Sequence, residues 1–580
     1  MRVGLLLCCL LPALVLAKAE TLVYQVKGLD KTLRHNVEAW LGAVPATESE
    51  RAAFLSTARE RTAKALQALG YYNPVIDLEV DSQKAPWRLT INIDAGEPVR
   101  VDKLELQVQG DATADEDFKT LLEAPALHRG EVFNHAHYEE FKKSMLSLAQ
   151  RRGYFGAHFT RNRVEVVEAA NTAAINLHFD SGPRYRFGPL IHDELNLYTS
   201  LLQRLRPFEE GEPFLLAKLQ EFQSELQRTG YFSGVLVQPR VSEAVDNQVP
   251  LAVELSPAKR HSFDVGVGYS TDTQERVSMV WRTPRINRWG HSQETRLEYS
   301  RINPSGRITY NIPLTHPLND VLQLRARLEQ NEFGDIDSDQ VEFGVRRELR
   351  KGNWVYGYSL RYLNEQWDVA SYNENSDYLL PGFSLSHKLR EGPLVNPDWG
   401  FSQFYQFEGA SEQAGSDVDL LRAYAKWIYV QRLVDTPHRF VGRLELGAVS
   451  VAAGKRDWLA PSLSFFAGGS QSLRGYDYQS LGSEVELTLE DGAVDTLVVG
   501  GERLLVGSME YQYRFNESWR GAAFVDAGDA FSDSDFDTKV GVGVGVHYMT
   551  PVGAIKLEVA NSVSEDEPEW SFYINIGAEF

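Results

Sequence analysis

The chain has two textures. Up to about residue 260, helical and strand periodicities take turns; from His261 onward, apolar and polar positions alternate with period two. Phe263, Val265, Val267 and Tyr269 alternate with Asp264, Gly266, Gly268 and Ser270. Leu505, Gly507, Met509, Tyr511, Tyr513 and Phe515 share one face of a strand, with Ser508, Glu510, Gln512 and Arg514 on the other. Val540, Val542, Val544 and Val546 alternate with Gly541, Gly543, Gly545 and His547, and Ile555, Leu557 and Val559 alternate with Lys556 and Glu558. The last run sets Phe572, Ile574, Ile576, Ala578 and Phe580 against Ser571, Tyr573, Asn575, Gly577 and Glu579. Such runs are about ten residues long, the length at which a tilted strand crosses a bilayer, and aromatic residues recur near their ends. The pattern predicts a transmembrane antiparallel β-barrel over 261–580 rather than a soluble sandwich. Eleven candidate strands precede Gly454 and five follow, at about 503–515, 518–528, 539–549, 554–562 and 571–580. Both barrel ends should face one compartment, which requires an even number, sixteen. The apolar piece Leu463–Ala467 then falls in one long loop, about 451–502, and a loop of that length with ordered-looking aromatics reads as functional.

The first half repeats itself. Gly70-Tyr71-Tyr72 returns as Gly153-Tyr154-Phe155 and as Gly230-Tyr231-Phe232. Helical periodicity leads into each copy, over Phe54–Leu69, Tyr138–Arg151 and Leu216–Gln227, and short strands follow, such as 75–80 and 88–93. The glycine is expected to end each helix in a left-handed cap, and the aromatics to drop into the core beneath. Gly130-Glu131-Val132-Phe133 and Gly211-Glu212-Pro213-Phe214 lead into the second and third units. Each unit reads strand-helix-helix-strand-strand, an α+β domain whose open sheet edge can accept an added strand or act only as a spacer.

Composition narrows the compartment. Met1-Arg2-Val3, an apolar stretch to Leu16 and Ala17-Lys18-Ala19 form a secretory leader over 1–19. Cys8 and Cys9 are the only cysteines and both lie in it, so the mature chain carries no thiol and no disulfide frame. The formal net charge is −21, which argues against nucleic acid as a partner. Expected domains are 20–97, 98–184 and 185–260, followed by the barrel at 261–580.

One motif stands out in the long loop. Phe466-Ala467-Gly468-Gly469 precedes Leu473-Arg474-Gly475-Tyr476, and Phe524-Val525-Asp526-Ala527-Gly528 follows on a later strand. Asp526 has the parity opposite to Val525 and Ala527, so it should face the lumen, where Gly541, Gly543 and Gly545 clear space on the next strand. The three N-terminal units resemble POTRA domains, and the loop motif resembles that of the sixth extracellular loop in the BamA/TamA outer-membrane assembly superfamily. The resemblance implies three POTRA domains followed by a sixteen-stranded transmembrane barrel, with the loop folded into the lumen. It also implies that Arg474 meets Asp526, with Glu510 as a second lumenal acid and Leu473, Gly475, Tyr476 and Gly528 completing the motif. Leu473 stands where the family often has valine or isoleucine.

Within that family the three-unit pattern is closest to the TamA-like branch. That implies an outer-membrane assembly factor for clients such as autotransporters, outer-membrane lipid around it, and a TamB-like inner-membrane-anchored partner. Edge-strand physics suggests the working part: a lateral seam between the first strand and the last, with Phe263, Gly266, Gly268, Ser571, Gly577 and Phe580 along it. Two rivals stay open, a two-partner-type secretion pore and a passive structural barrel. Nothing before Lys31 offers the plugging helix of such pores. Neither a catalytic constellation nor a cofactor motif emerges: Asp335-Ile336-Asp337-Ser338-Asp339 starts like a calcium loop but Gln340 replaces the turn glycine. His135 and His137 are wrongly spaced for a metal pair on a helix.

Overall fold

The computed structural model describes residues 21–123, 125, 127–192, 199–369, 372–393, 396–456, 459–488, 494–532, 535–550 and 553–577. The leader at 1–19 lies outside them. Two compact units emerge, the first formed by the chain up to Ile191 with Phe208–Glu221 and Val237–Ala252, the second by His192–Pro207, Phe222–Leu236 and Val253 onward.

In the first unit, Trp87–Asp94 is the middle strand of a small sheet, parallel to Leu22–Lys27 and antiparallel to Val75–Asp81. Helices Lys31–Leu41 and Glu48–Ala68 belong to the same domain. Asp30 caps the former by accepting the Leu33 N–H at 2.9 Å, and Thr47 with Glu50 forms a capping box on the latter. Leu22, Val37, Ala58, Leu66, Leu89 and Ile91 make its core. A second sheet repeats the order, with Thr172–Asp180 between Arg100–Gln109 and His158–Val167, and helix His135–Arg152 ends on Gly153 in the left-handed conformation. A third sheet has Gln248–Pro257 between Arg186–His192 and Phe232–Pro239.

The repeated Gly-Tyr-aromatic motif does more than cap a helix. Tyr154, Tyr231 and Phe232 are buried as expected, but Tyr71 and Tyr72 are only half-buried. Tyr72 instead packs on the core of the following domain and its hydroxyl meets His135 Nε2 at 2.6 Å. Phe155 lies 4.9 Å from Phe214, centroid to centroid. A Cβ on Gly70 would sit 2.3 Å from the Phe133 carbonyl oxygen, and one on Gly153 would sit 2.7 Å from Phe214 Cβ. Each glycine is thus the seat for the lead-in turn of the next domain. In the second unit the third copy reaches the barrel, where Tyr231 donates to the Gly290 carbonyl at 2.6 Å.

The barrel strands are β1 (Ser262–Ser270), β2 (Gln274–Thr283), β3 (Ser292–Ser300), β4 (Ser305–Pro313), β5 (Asp320–Phe333), β6 (Ile336–Lys351), β7 (Trp354–Val369) and β8 (Tyr372–Glu391). Then come β9 (Trp399–Ala410), β10 (Leu420–Arg432), β11 (His438–Val451), β12 (Arg503–Arg514), β13 (Trp519–Phe531), β14 (Lys539–Thr550), β15 (Gly553–Ser562) and β16 (Trp570–Gly577). They form one sixteen-stranded sheet, each strand antiparallel to its neighbour. Alternation decides the faces: Val267, Met509, Val544 and Phe572 are exposed outward, while Gln512, Asp526, His547 and Glu558 are buried inward. Leu463–Ala467 adds no strand and lies within the long loop, pairing at Phe465 with Gly501 and at Ala467 with Leu481.

Strands β6 to β8 run 16, 16 and 20 residues, well beyond the 9 of β1. Their loop-side ends build a second apolar core in which Leu363, Trp367, Tyr378 and Leu380 pack with Leu459, Leu463, Phe465 and Leu473 of the long loop. Glu365, buried there, accepts from the Ser338 hydroxyl at 2.7 Å and the Ser462 N–H at 3.1 Å. The loop-side interior is therefore filled by side chains.

Candidate functional site

The loop turns back on itself so that Leu473 sinks into that core while Arg474 points across the lumen to β12, β13 and β15. Arg474 Nε and Nη2 fork onto Asp526 at 2.7 and 3.0 Å, and its backbone N–H adds a third bond to the same carboxylate at 3.1 Å. Nη1 reaches Glu510 at 2.7 Å and Glu558 at 3.2 Å, and Nη2 reaches the Ser508 hydroxyl at 3.3 Å. The guanidinium also lies 3.3 Å from the Phe524 ring centroid, a cation–π contact. Arg474, Glu510, Glu558 and Asp526 are each at most 7% exposed, so the charges depend on one another rather than on water.

The rest of the motif fixes the loop's backbone. Gly475 donates its N–H to the Tyr573 hydroxyl at 2.9 Å, and that hydroxyl donates onward to the Tyr476 carbonyl at 2.8 Å. Tyr476 meets the Ser564 hydroxyl at 2.7 Å. The room for this comes from β14, where a Cβ on Gly541 would lie 1.6 Å from the Arg474 carbonyl oxygen. Glu510, His547 and Glu558 bring ligand-type atoms within 4.8 Å of one another. Arg474 already bonds both carboxylates and His547 Nε2 lies 2.9 Å from Glu558, so the group is an ion-pair cluster built around a guanidinium.

This barrel, with its inward-folded arginine loop, has known counterparts. The Omp85 superfamily domain matches residues 257–580, more than half of the chain. The chain belongs to the Omp85 superfamily. Upstream, the POTRA domain described as TamA domain 1 matches residues 23–95, and the surface antigen variable number repeat, a POTRA model, matches 104–182. The outer membrane protein assembly factor BamA of Nitratidesulfovibrio vulgaris is 23% identical over 377 residues, covering 60% of this chain and 44% of that protein. The chain thus spans less than half the length of this relative. The crystal structure of BamA from Haemophilus ducreyi lacking POTRA domains 1–3 shares the fold, with a TM-score of 0.69 at 17% identity over 82% of this chain and 99% of that one. As an Omp85 barrel the chain is an outer-membrane protein.

The boundary between β1 and β16 differs from every other in this Omp85 barrel. Fifteen neighbouring pairs from β1 through β16 are joined by ladders; among the described residues none joins β16 back to β1, although their Cα atoms approach within 8 Å. The loop holds the two sides instead. Ser470 donates its N–H and its hydroxyl to Asp272, in the β1–β2 turn, at 3.0 and 2.6 Å. Asn575 on β16 donates to the Ser470 hydroxyl at 2.7 Å. Tyr573, which holds Gly475 and Tyr476, lies two residues away on the same strand.

Of the seam residues read from the sequence, Phe263 points outward and stacks on Trp281 at 6.1 Å, while Gly266 and Gly268 take the inward parity of β1. Ser571 and Gly577 share the parity of Tyr573 on β16, and Phe580 lies outside the described residues. Gly528 is on β13 but takes no part in the arginine contacts; a Cβ there would sit 2.1 Å from the Leu505 carbonyl oxygen, so it serves the β12–β13 ladder. Sequence reasoning missed Glu558, His547, Phe524, Tyr573 and the Ser470–Asp272–Asn575 bridge. Inward parity marked Glu558 and His547; no local signal marked Asp272.

Proposed function

We propose that this Omp85 protein is a TamA-like assembly factor that inserts β-barrel clients, autotransporters among them, through a lateral seam between β1 and β16. In this reading the N-terminal domains are three POTRA units in the periplasm that receive unfolded clients and a TamB-like partner. The protein does no covalent chemistry; its work is templating backbone pairing within lipid. The observation that carries the reading is the loop bridge across a boundary without a ladder among the described residues: Ser470 ties Asp272 beside β1 to Asn575 on β16 while Arg474 anchors the same loop. Unpaired strand edges in a bilayer are costly, so an opened boundary favours pairing with an incoming client strand. The filled loop-side core disfavours a standing pore for an extended chain.

The test is reconstitution of the full chain in liposomes with a urea-unfolded autotransporter β-domain, following folded client by its heat-modifiable gel mobility. Faster folding than in liposomes carrying an unrelated barrel supports the reading. Equal rates in both would sink it.

A further inference from the structure

On strands that Arg474 does not touch, the lumen wall carries a second group of arginines. Arg325 and Arg327 on β5, Arg346 on β6, Arg361 on β7 and Arg422 on β10 line a cavity of about 350 Å³. Only two carboxylates, Glu342 and Glu408, share that lining. Both are engaged: Arg361 forks onto Glu408 at 2.9 and 3.1 Å and reaches Glu342 at 3.1 Å. Arg422 gives its Nε–H to the Leu463 carbonyl at 3.0 Å, and Arg327 pairs with Glu329 at 3.0 Å.

Arg325 and Arg346 remain. Their hydrogen-bond partners are neutral, the Gln323 side chain for Arg325 and the Ser384 hydroxyl at 2.9 Å for Arg346. Among the described residues neither has a carboxylate within the 4.0 Å of an ion pair, and the buried Nε–H of each reaches no acceptor. The backbone makes room for them. Gly344 is the register partner of Arg325, and a Cβ on Gly357 would fall 2.3 Å from Arg346 Nη2. Arg307 on β4 adds its like charge to that of Arg346 near Arg325, while Glu348 and Glu342 act on Arg325 only from beyond ion-pair distance. Gathering guanidiniums in a confined wall with no carboxylate in direct contact is costly unless an anion shares them.

We propose that Arg325 and Arg346 form a lumenal binding site for a phosphate-bearing ligand. A phosphate monoester or pyrophosphate supplies at least the double negative charge that two guanidiniums without an ion-pair partner call for, and its oxygens match their forked donors. A carboxylate supplies only one charge. The phosphate can belong to a lipid headgroup or to a water-soluble compound; the chemistry of recognition is the same.

The experiment is calorimetric titration of the full chain, in a non-ionic detergent and phosphate-free buffer, with inorganic pyrophosphate. The expected result is a saturable isotherm that weakens roughly tenfold or more in the R325Q–R346Q double variant. R350Q, altered at an exposed arginine outside the cavity, should bind as the parent does. Heat-modifiable gel mobility checks that each variant is a folded barrel. R325K–R346K keeps the charge and loses the forks, so it should bind between the two; parental affinity there would overturn the forked geometry. Displacement of pyrophosphate by a short-chain phosphatidate assigns the site to lipid headgroups, and lack of displacement assigns it to soluble phosphates. No saturable binding, binding undiminished in a folded R325Q–R346Q, or equal binding of a triglutamate peptide would overturn the proposal.

Discussion

Replacing Arg474 with alanine removes the centre of the loop's anchorage. The side chain makes two bonds to Asp526 and one each to Glu510 and Glu558, all charge-assisted. At roughly 1.5–3 kcal/mol per charged hydrogen bond, the gross interaction is about 6–12 kcal/mol. The net loss is smaller, because water can enter beside the freed carboxylates once the guanidinium is gone. Breaking one side of a buried pair costs about 3–5 kcal/mol, which lowers the docked fraction of the loop by roughly two to four powers of ten. Two reporters lie next to the change: the Arg474 and Gly475 amides, bonded to Asp526 and to the Tyr573 hydroxyl. Hydrogen exchange of peptides spanning 466–480, on the full chain in micelles, should speed up by about two powers of ten in R474A. Because one network is involved, R474A–D526A should exchange little faster than R474A alone. Parental exchange in a folded R474A barrel would refute the reasoning, since the apolar contacts of Leu473 and its neighbours would then hold the loop unaided.

Other consequences are read the same way. G541A should undock the loop by about 1–3 kcal/mol or more, since its methyl would meet the Arg474 carbonyl oxygen, whereas G268A, with nothing within 4 Å, should be silent in the same exchange assay. S470A removes the hydroxyl shared by Asp272 and Asn575, costing about 1–3 kcal/mol, and should broaden the distance between spin labels on β1 and β16. In the second N-terminal domain, burial alone would raise the Asp115 carboxyl, but bonds from Tyr154, the Asp117 N–H and Arg152 outweigh it and hold the group below its usual value. That contribution is therefore present above about pH 4 and is lost as pH falls through the lowered value. Exchange protection of Thr172–Asp180 should fall with it, while D115N should be less protected at neutral pH by about 1–3 kcal/mol and lack this acid dependence.

What the sequence made legible follows from how far each signal reaches. Period-two alternation is local, so with the parity of the barrel ends it led to sixteen strands, placed the last five to within a few residues and turned Asp526 and Glu510 inward. The resemblance of the loop motif named Arg474 as their partner. Neither signal could tell which inward residues converge, because Glu558 on β15 and His547 on β14 meet the arginine cluster only once the sheet has curled. Asp272 sits in an ordinary-looking turn, and its role comes from a serine 198 residues away. The same limit hid the domain junctions. Gly70 looked like a helix cap, and its tighter constraint is the Phe133 carbonyl of the next domain. The loop-side core escaped notice because the long ends of β6 to β8 carry the same alternation as their membrane-facing parts.

The central claim is that the β1–β16 boundary is the working part. Beyond Cys8 and Cys9 the sequence has no cysteine, so paired cysteines scanned across Val265–Tyr269 and Phe572–Ile576 can lock that boundary by oxidation. Client insertion is then followed in the reconstituted system, oxidised and reduced, beside a control disulfide within the β9–β10 ladder. Oxidation at the seam should stop insertion, reduction should restore it, and the control disulfide should have no effect. A fully oxidised seam that still inserts clients at the parental rate would contradict it.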